Sequence, residues 1–542
     1  MVMLLLTDGT VLVKTDSCKS DTTATSTWAK LTPDNHGSYI NGTWTTIAPM
    51  HDTRVYFASQ VLKDGRVFVA GGEIENESPT GNGTGGNSGE TYNPLTDTWT
   101  MAPAQSSYFG DANSEILPDG KVLVATLSGS GNNTEIFDPI ANTWATGPSS
   151  IHNHDESAWV KLADNSILFV GIGSTHSERY IPSLNTWVAD ATVSDSLYDP
   201  YWFETGAGFL LPDGRAFFLG ASGHTAYYTP SGNTSPGNWS SGPNIPNHYG
   251  TVDAPAAMMV NGKILCAASP VNTSTAISGA FLAPTEFFEF DYLSNSFTQI
   301  TAPSGGDSLN IPCYMGNMLD LPDGTVLFSA QNSSQCYVYS PVGAPLTGGK
   351  PTISNFLQLN CDTVKIAGTL FNGISEGAAY GDDWQMASNY PIVKLSSGSN
   401  VYYARTFHWN STGVQRGNAP DTTLFSTPIG LPYGSYSLAV IANGISSDTT
   451  TFINYPCTTG ITTINKPNGL LIYPNPASNT LNIANITSKT SIRIYNSLGE
   501  LLLEKETESN LTLDISQLLM GVYMVVVNDG NDSRLSKVVI TK

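Results

Sequence analysis

Short runs of alternating apolar and polar residues fill most of the chain, and few of them are longer than six residues. Tyr56 to Gly72 shows the pattern best, with one run ending at Leu62 and a second, Val67 to Ala70, following Asp64-Gly65. Period-two alternation marks half-buried strands, and an Asp-Gly pair between β-rich runs predicts a tight antiparallel hairpin of type I′, with positive φ at both central residues. A third run carries Tyr92 and a fourth carries Trp99, separated by the turn residues Asn93 to Asp97. The unit is therefore four antiparallel strands, a to d.

This unit recurs. Its a–b turn returns as Asp8-Gly9, Asp119-Gly120, Asp164-Asn165, Asp213-Gly214, Asn261-Gly262 and Asp323-Gly324. Its c–d half returns around Phe137 and Trp144, Tyr180 and Trp187, Tyr228 and Trp239, and Phe290 and Phe297. Four strands repeated every roughly 40 to 55 residues predict an all-β, seven-bladed β-propeller over residues 1–346. The seventh repeat has a c strand at Cys336 to Tyr339, but Gly343 to Gly349 offers no d strand. Met1 to Leu6 lacks a basic leader and a cleavage site and runs straight into Asp8-Gly9, so it reads as strand a of the first blade. The strand completing the last blade is accordingly expected upstream of Met1, in a chain shortened at its N-terminus and lacking its export signal.

The repeat stops near Lys350. Alternating runs at Val364 to Gly368, Ile392 to Leu395, Val401 to Phe407, Tyr436 to Ala442 and Thr450 to Tyr455 predict an immunoglobulin-like β-sandwich over 350–457. Residues 458–469 form a polar linker, and 470–542 a further small β-sandwich ending in basic residues.

Composition narrows the function classes. Only 13% of the 542 residues are charged, and the net charge is −22 with no basic run, so nucleic acid is not expected as a partner. The acidity fits the solubility of a secreted protein. No run of 18 apolar residues occurs, so no transmembrane segment is expected. Six cysteines (Cys18, Cys266, Cys313, Cys336, Cys361 and Cys457) leave fifteen pairings open. Cys361 with Cys457 would staple the ends of the sandwich, and Cys313 and Cys336 share the seventh blade. No Cys-x-x-Cys spacing points to a thiolate zinc site.

Gly71-Gly72, Tyr92 and Trp99 resemble the kelch repeat, although later blades keep at most one of the paired glycines, as at Gly220. A propeller followed by a sandwich is similar to the plan of galactose oxidase and its relatives. That resemblance implies a copper site built from a Cys joined to a Tyr, a Tyr-His dipeptide and a histidine from the sandwich. Here no Tyr-His occurs (His248-Tyr249 is the reverse order), Cys313 adjoins Tyr314 without the family context, and the sandwich offers only His408. Copper is therefore disfavoured. The last segment closely resembles the type A C-terminal sorting domain of the type IX secretion system. Tyr473-Pro474-Asn475-Pro476, Gly499, Gly521, Tyr523 and Lys537 carry the likeness. It implies export by that machinery, to the outer-membrane surface or into the medium.

Candidate chemistry follows from strand order. In a four-stranded blade the d–a and b–c loops share the face at the mouth of the axial channel. His51, His152, His154 and His248 fall in or near d–a loops, and His176 and His224 in b–c loops. Acids recur eight residues before the a–b turns as Asp111, Glu156 and Asp253, with Glu204 one place early. Tyr108, Phe109, Tyr201, Trp202, Phe203, Tyr249 and Tyr314 accompany them. Carboxylates beside flat apolar rings suit a glycan or similar polyol, whose hydroxyls donate while its C–H faces stack. They also suit a hard cation such as calcium. The expected ligand-binding set is Asp111, His154, Glu156, Trp202, Glu204, His248, Tyr249 and Asp253. His152, His154 and Asp155 are metal candidates, since His at i and i+2 on an extended strand point the same way. The same acids acting only to hold neighbouring blades in register is the competing reading. No catalytic motif emerges. A glycan-binding exported protein is the favoured reading, with a carbohydrate-active enzyme (a divergent oxidase, a hydrolase or a lyase) as the alternative.

Overall fold

The computed structural model describes residues 2–15, 24–75, 86–110, 112–126, 131–376, 379–380, 383–384, 388–456, 470–496, 499–528 and 533–542. Two compact units divide it, Met1–Tyr455 and Pro456–Lys542.

The first unit opens with seven antiparallel sheets in chain order, the arrangement of a β-propeller. The innermost strands are Met3–Leu5, Ala58–Val61, Ser114–Ile116, Ala158–Lys161, Gly208–Leu210, Ala256–Met258 and Gly316–Asp320, and every residue in them is buried. The outermost strands are largely exposed, as at Thr43–Thr46. The ring closes between the first and last sheets: Leu4 and Leu12 share one core with Leu319 and Leu327. The seventh sheet has three strands, and its outer one is Cys336–Tyr339.

All the expected a–b turns are present, but the type I′ geometry is not. Leu62 N–H donates to Arg66 O and Gly65 N–H to Leu62 O, which encloses the three residues Lys63-Asp64-Gly65. Only Gly65 has positive φ, at 79°. This is a three-residue loop ending in a left-handed glycine. Asp64 keeps ordinary backbone because its Oδ1 accepts the Arg66 amide at 3.1 Å. Asn165 takes the glycine position of the fourth turn at φ 67°.

The sandwich packs the sheet of Thr352–Gln358, Thr363–Thr369, Asp421–Ser426 and Thr406–Phe407 on that of Ile392–Ser397, Asn400–Ala404 and Gly434–Ala442. Val364, Ile366, Leu395, Phe425 and Val440 form its core. It rests on the a–b turns. Thr7 Oγ1 donates to Thr406 O at 2.8 Å, and His408 N–H to Lys63 O at 2.6 Å. A Cβ on Gly9 would meet the Tyr403 ring at 2.6 Å.

One element was not legible beforehand. The strands Ala379–Tyr380 and Asp383–Trp384 leave the sandwich as a hairpin and join the fifth propeller sheet, with Ala379 paired to Gly208.

The second unit is a small sandwich with its own core of Leu481, Ile483, Ile492, Ile494, Val525 and Val538. Asn475 ties its first segment to its last strand: Nδ2 donates to Lys537 O at 2.8 Å and Oδ1 accepts from Val539 N–H at 2.9 Å. Tyr523 is buried and donates to Leu519 O, Gly499 has φ 83°, and Tyr473 and Lys537 are exposed.

Among the cysteines, Cys266, Cys313 and Cys336 are free, so the pairing of Cys313 with Cys336 is not formed. Cys361 is in a disulfide. Cys18 and Cys457 lie outside the described residues.

Candidate functional site

Glu156, Glu204 and Asp253 come from three successive d–a loops, those entering the fourth, fifth and sixth sheets. One carboxylate oxygen from each lies within 4.8 Å of the other two. Glu204 and Asp253 are buried and Glu156 is half-buried. Of the four acids picked out by register, these three converge; Asp111 lies outside the described residues.

A hydrogen-bonded chain of backbone and small side chains sets the cluster. Thr205 Oγ1 donates to Glu156 O, and Asp253 N–H donates to Thr205 O at 3.0 Å. Asn113 Nδ2 donates to Ser157 O and so adds the third sheet. Asp199 builds the middle loop, accepting Tyr201 and Trp202 N–H on Oδ1 and Glu204 N–H on Oδ2, each at 3.0 Å. The backbone is bent as well: Glu156 sits at φ 48° and Asp253 at φ 47°. The left-handed region costs a non-glycine residue about 1 kcal/mol or more, and such strain gathers at functional sites. Three ionised carboxylates within 4.8 Å of one another would repel by at least about 3 kcal/mol per pair at an effective dielectric of 20.

Aromatic residues lie close to the acids along the chain, Trp202 two residues before Glu204 and Tyr249 four before Asp253. Trp202 is half-buried, donates Nε1–H to Ser274 O at 3.0 Å, and lies 6.2 Å from the Phe281 ring, which is 5.0 Å from Tyr314. Tyr249 is half-buried; burial, then the Glu286 carboxylate, raises its phenol above the ordinary value. Tyr108, Tyr201, Phe203 and His248 are exposed.

Other expectations are corrected. His154 is 0% exposed, with its imidazole 4.4 Å from the Phe169 ring, 4.8 Å from Trp187 and 5.2 Å from Trp159. Burial, then His152, lowers its pKa to about 3, so it is a neutral core residue and not a ligand of the mouth. His152 turns the other way: Nδ1 lies 2.6 Å from Glu178 Oε1, and the ring stacks on His176 at 4.3 Å. The loop is not an extended strand, and the two imidazoles do not converge with Asp155 on a metal. His51 with Glu90, at 2.7 Å, repeats the His152–Glu178 clamp in the second blade. Phe109 is buried against Trp144.

The residue types of a copper centre are scattered. Cys266 and Cys313 are buried in the core of the sixth and seventh sheets, and His408 is exposed beside the second a–b turn. Among the described residues, the three acids are the only group of three or more metal-ligating side chains.

A polar group missed by sequence reasoning lies deeper. Lys161 Nζ contacts Glu115 Oε1 at 2.6 Å and Glu376 Oε1 at 2.9 Å, and all three side chains are buried. Burial, with the Glu376 carboxylate, pushes the Glu115 carboxyl well above its ordinary value. Burial alone would lower the Lys161 pKa, but the two carboxylates outweigh it and raise it. Asn389 Nδ2 also donates to Glu376, at 3.0 Å. Glu376 and Asn389 flank the hairpin that reaches the fifth sheet. No pattern in the sequence marks these residues: Glu115 and Lys161 stand on inner strands of the third and fourth sheets, and Glu376 and Asn389 on loop segments of the sandwich.

No helix among the described residues is long and apolar enough to cross a membrane. No curated protein matches the chain. A solved structure of a fungal alcohol oxidase of the AA5 family, in complex with copper, is similar over 83% of this chain and 96% of that one, at 14% identity and a TM-score of 0.49. Residues 471–541 match the family model described as the secretion system C-terminal sorting domain, and this segment marks the chain as a secreted protein, displayed on the cell surface or released.

Proposed function

We propose that this chain is a type IX-exported binding protein whose propeller mouth takes a glycan or similar polyol through Glu156, Glu204 and Asp253, with Trp202 and Tyr249 as apolar walls. Kelch-type blades over 1–346, an immunoglobulin-like sandwich over 350–457, a linker over 458–469 and the sorting domain over 470–542 make up the chain in this reading. The convergence of three acids from separate loops within 4.8 Å is the observation that carries it. Fixed carboxylates are strong acceptors for sugar hydroxyls. Calcium fits the same group: it takes six to eight oxygens, so three carboxyls leave positions for vicinal hydroxyls of a sugar.

Carboxyl oxygens within 4.8 Å also approach the roughly 5–5.5 Å carboxyl separation of retaining glycosidases. A hydrolase is the second reading.

Isothermal titration of the metal-stripped full chain with calcium, and a glycan array read with and without calcium, test the proposal. E204Q/D253N is expected to weaken both by at least about tenfold, or 1.4 kcal/mol. Unchanged binding in that variant would exclude the acids as the site. Release of reducing sugar by the wild type, lost in E204Q/D253N, would move the assignment to the hydrolase.

A further inference from the structure

A cleft of about 580 Å³ opens between the third and fourth blades, away from the mouth and on the side of the a–b and c–d turns. We propose that it is a second binding site, for a short neutral saccharide. The argument starts from what closes the corresponding seams elsewhere. Between the second and third blades, Arg66, directly after its a–b turn, donates Nη2–H to Pro139 O at 2.6 Å. Between the fourth and fifth, Arg179 donates to Asn233 O and Ser235 O at 3.1 and 2.6 Å. Tyr227 OH reaches Asn295 Oδ1 at 2.7 Å between the fifth and sixth, and Tyr339 OH reaches Glu289 Oε1 at 2.8 Å between the sixth and seventh.

The third blade has Lys121 where the second has Arg66. Its ammonium stays within its own blade, 3.5 Å from Asp119 Oδ2 and 3.9 Å from Asp138 Oδ2. The shorter, unforked side chain leaves the seam open. Asn185 repeats the position of Asn142, whose Nδ2 donates to Met101 O at 3.1 Å across the preceding seam. In the fourth blade, Asn185 Oδ1 instead accepts from Tyr180 OH at 2.8 Å.

The lining indicates the ligand class. Leu117, Ile136 and Trp144 give an apolar wall, and Asp119, Asp138 and Lys121 a polar one. One oxygen of each aspartate is held by backbone amides: Asp119 Oδ1 by Lys121, and Asp138 Oδ1 by Ile140 and Ala141. The Oδ2 atoms of the two oriented aspartates lie about the Lys121 ammonium, two acceptors about one donor. Two carboxylates disfavour an anion, and the ammonium between them disfavours a cation. A neutral polyol with one apolar face satisfies both walls, and 580 Å³ lies in the usual range for small-molecule sites.

The test uses the full chain in the E204Q/D253N background, so that binding at the mouth does not contribute. Cellotriose, maltotriose and chitotriose are titrated calorimetrically, with spermidine as the cationic control. At least one trisaccharide is expected to bind with a Kd of about 1 mM or tighter. Binding should fall at least about tenfold in T146W, which fills the cleft from its exposed rim, and in K121R, which supplies the guanidinium that closes the neighbouring seam. Circular dichroism confirms that both variants are folded. No saccharide binding, spermidine binding alone, or binding unaffected by T146W would each overturn the proposal. Because the mouth acids are already removed, these results stand apart from the fate of the mouth reading.

Discussion

Lys161 offers the sharpest test of how the sandwich engages the propeller. It is the cation between Glu115, on an inner propeller strand, and Glu376, at the base of the inserted hairpin, and its side chain is 1% exposed. Lys161→Met removes the charge while keeping a linear side chain. Two buried carboxyls then face each other without a cation, and breaking a buried ion pair from one side costs about 3–5 kcal/mol. At 1.4 kcal/mol per tenfold, hairpin opening should become roughly a hundred to several thousand times more frequent. Hydrogen exchange reads this directly at the amides of Ile374 and Ser375, which donate to Asn443 Oδ1 at 3.0 and 3.2 Å in the native state. The neutral triple variant E115Q/K161M/E376Q should recover most of the protection, because no buried charge then lacks its partner. Linkage adds a pH sign. A carboxyl whose folded pKa is raised makes the native state bind more protons than the unfolded one, so its contribution falls as pH climbs from its ordinary value toward the folded one. The Lys161 contribution is complete below the ordinary lysine pKa and is lost as pH rises through the higher folded value. Protection should therefore decline toward alkaline pH. Exchange in K161M within threefold of wild type would refute the idea that this triad holds the hairpin.

Two further outcomes follow from buried groups. His154 is neutral with a pKa near 3, against about 6.5 when unfolded, so the unfolded chain binds the extra proton between those values. Stability should be lost as pH falls through that window, by roughly 4–5 kcal/mol in all, and H154F should remove this slope in urea titrations at pH 4 and 7. A slope unchanged in H154F would assign the acid sensitivity elsewhere. Burial pushes the Cys266 and Cys313 thiols up to about 12. Iodoacetamide should therefore leave both unmodified in the native protein and label them only in denaturant, whereas half-buried Cys336 on the outer strand of the seventh sheet should react first. Peptide mass spectrometry distinguishes the three, and native labelling of Cys266 or Cys313 would contradict their placement.

The sequence by itself determined where the repeated strands and their turns fall, though not the turn type, since only the glycine of each Asp-Gly pair takes positive φ. Strand alternation, the Asp-Gly turns and the recurring c–d aromatics specify the four-strand unit, because each depends only on the pleat and on turn stereochemistry within a few residues. The register of the acids belongs to the same class: Glu156, Glu204 and Asp253 were visible because equivalent loops of a closed ring deliver equivalent positions to one axis. Only the tertiary structure decided which side chains enter that space. His152 and His154 are two residues apart, yet one faces Glu178 and the other an aromatic cage, since the loop turns between them. Lys161, Glu115 and Glu376 meet across up to 261 residues of chain through a hairpin that no periodicity announces. The open seam at Lys121 exists because a single lysine does not span what Arg66 spans. Contacts of this kind depend on where rigid sheets are held relative to one another, and no pattern within one strand encodes that.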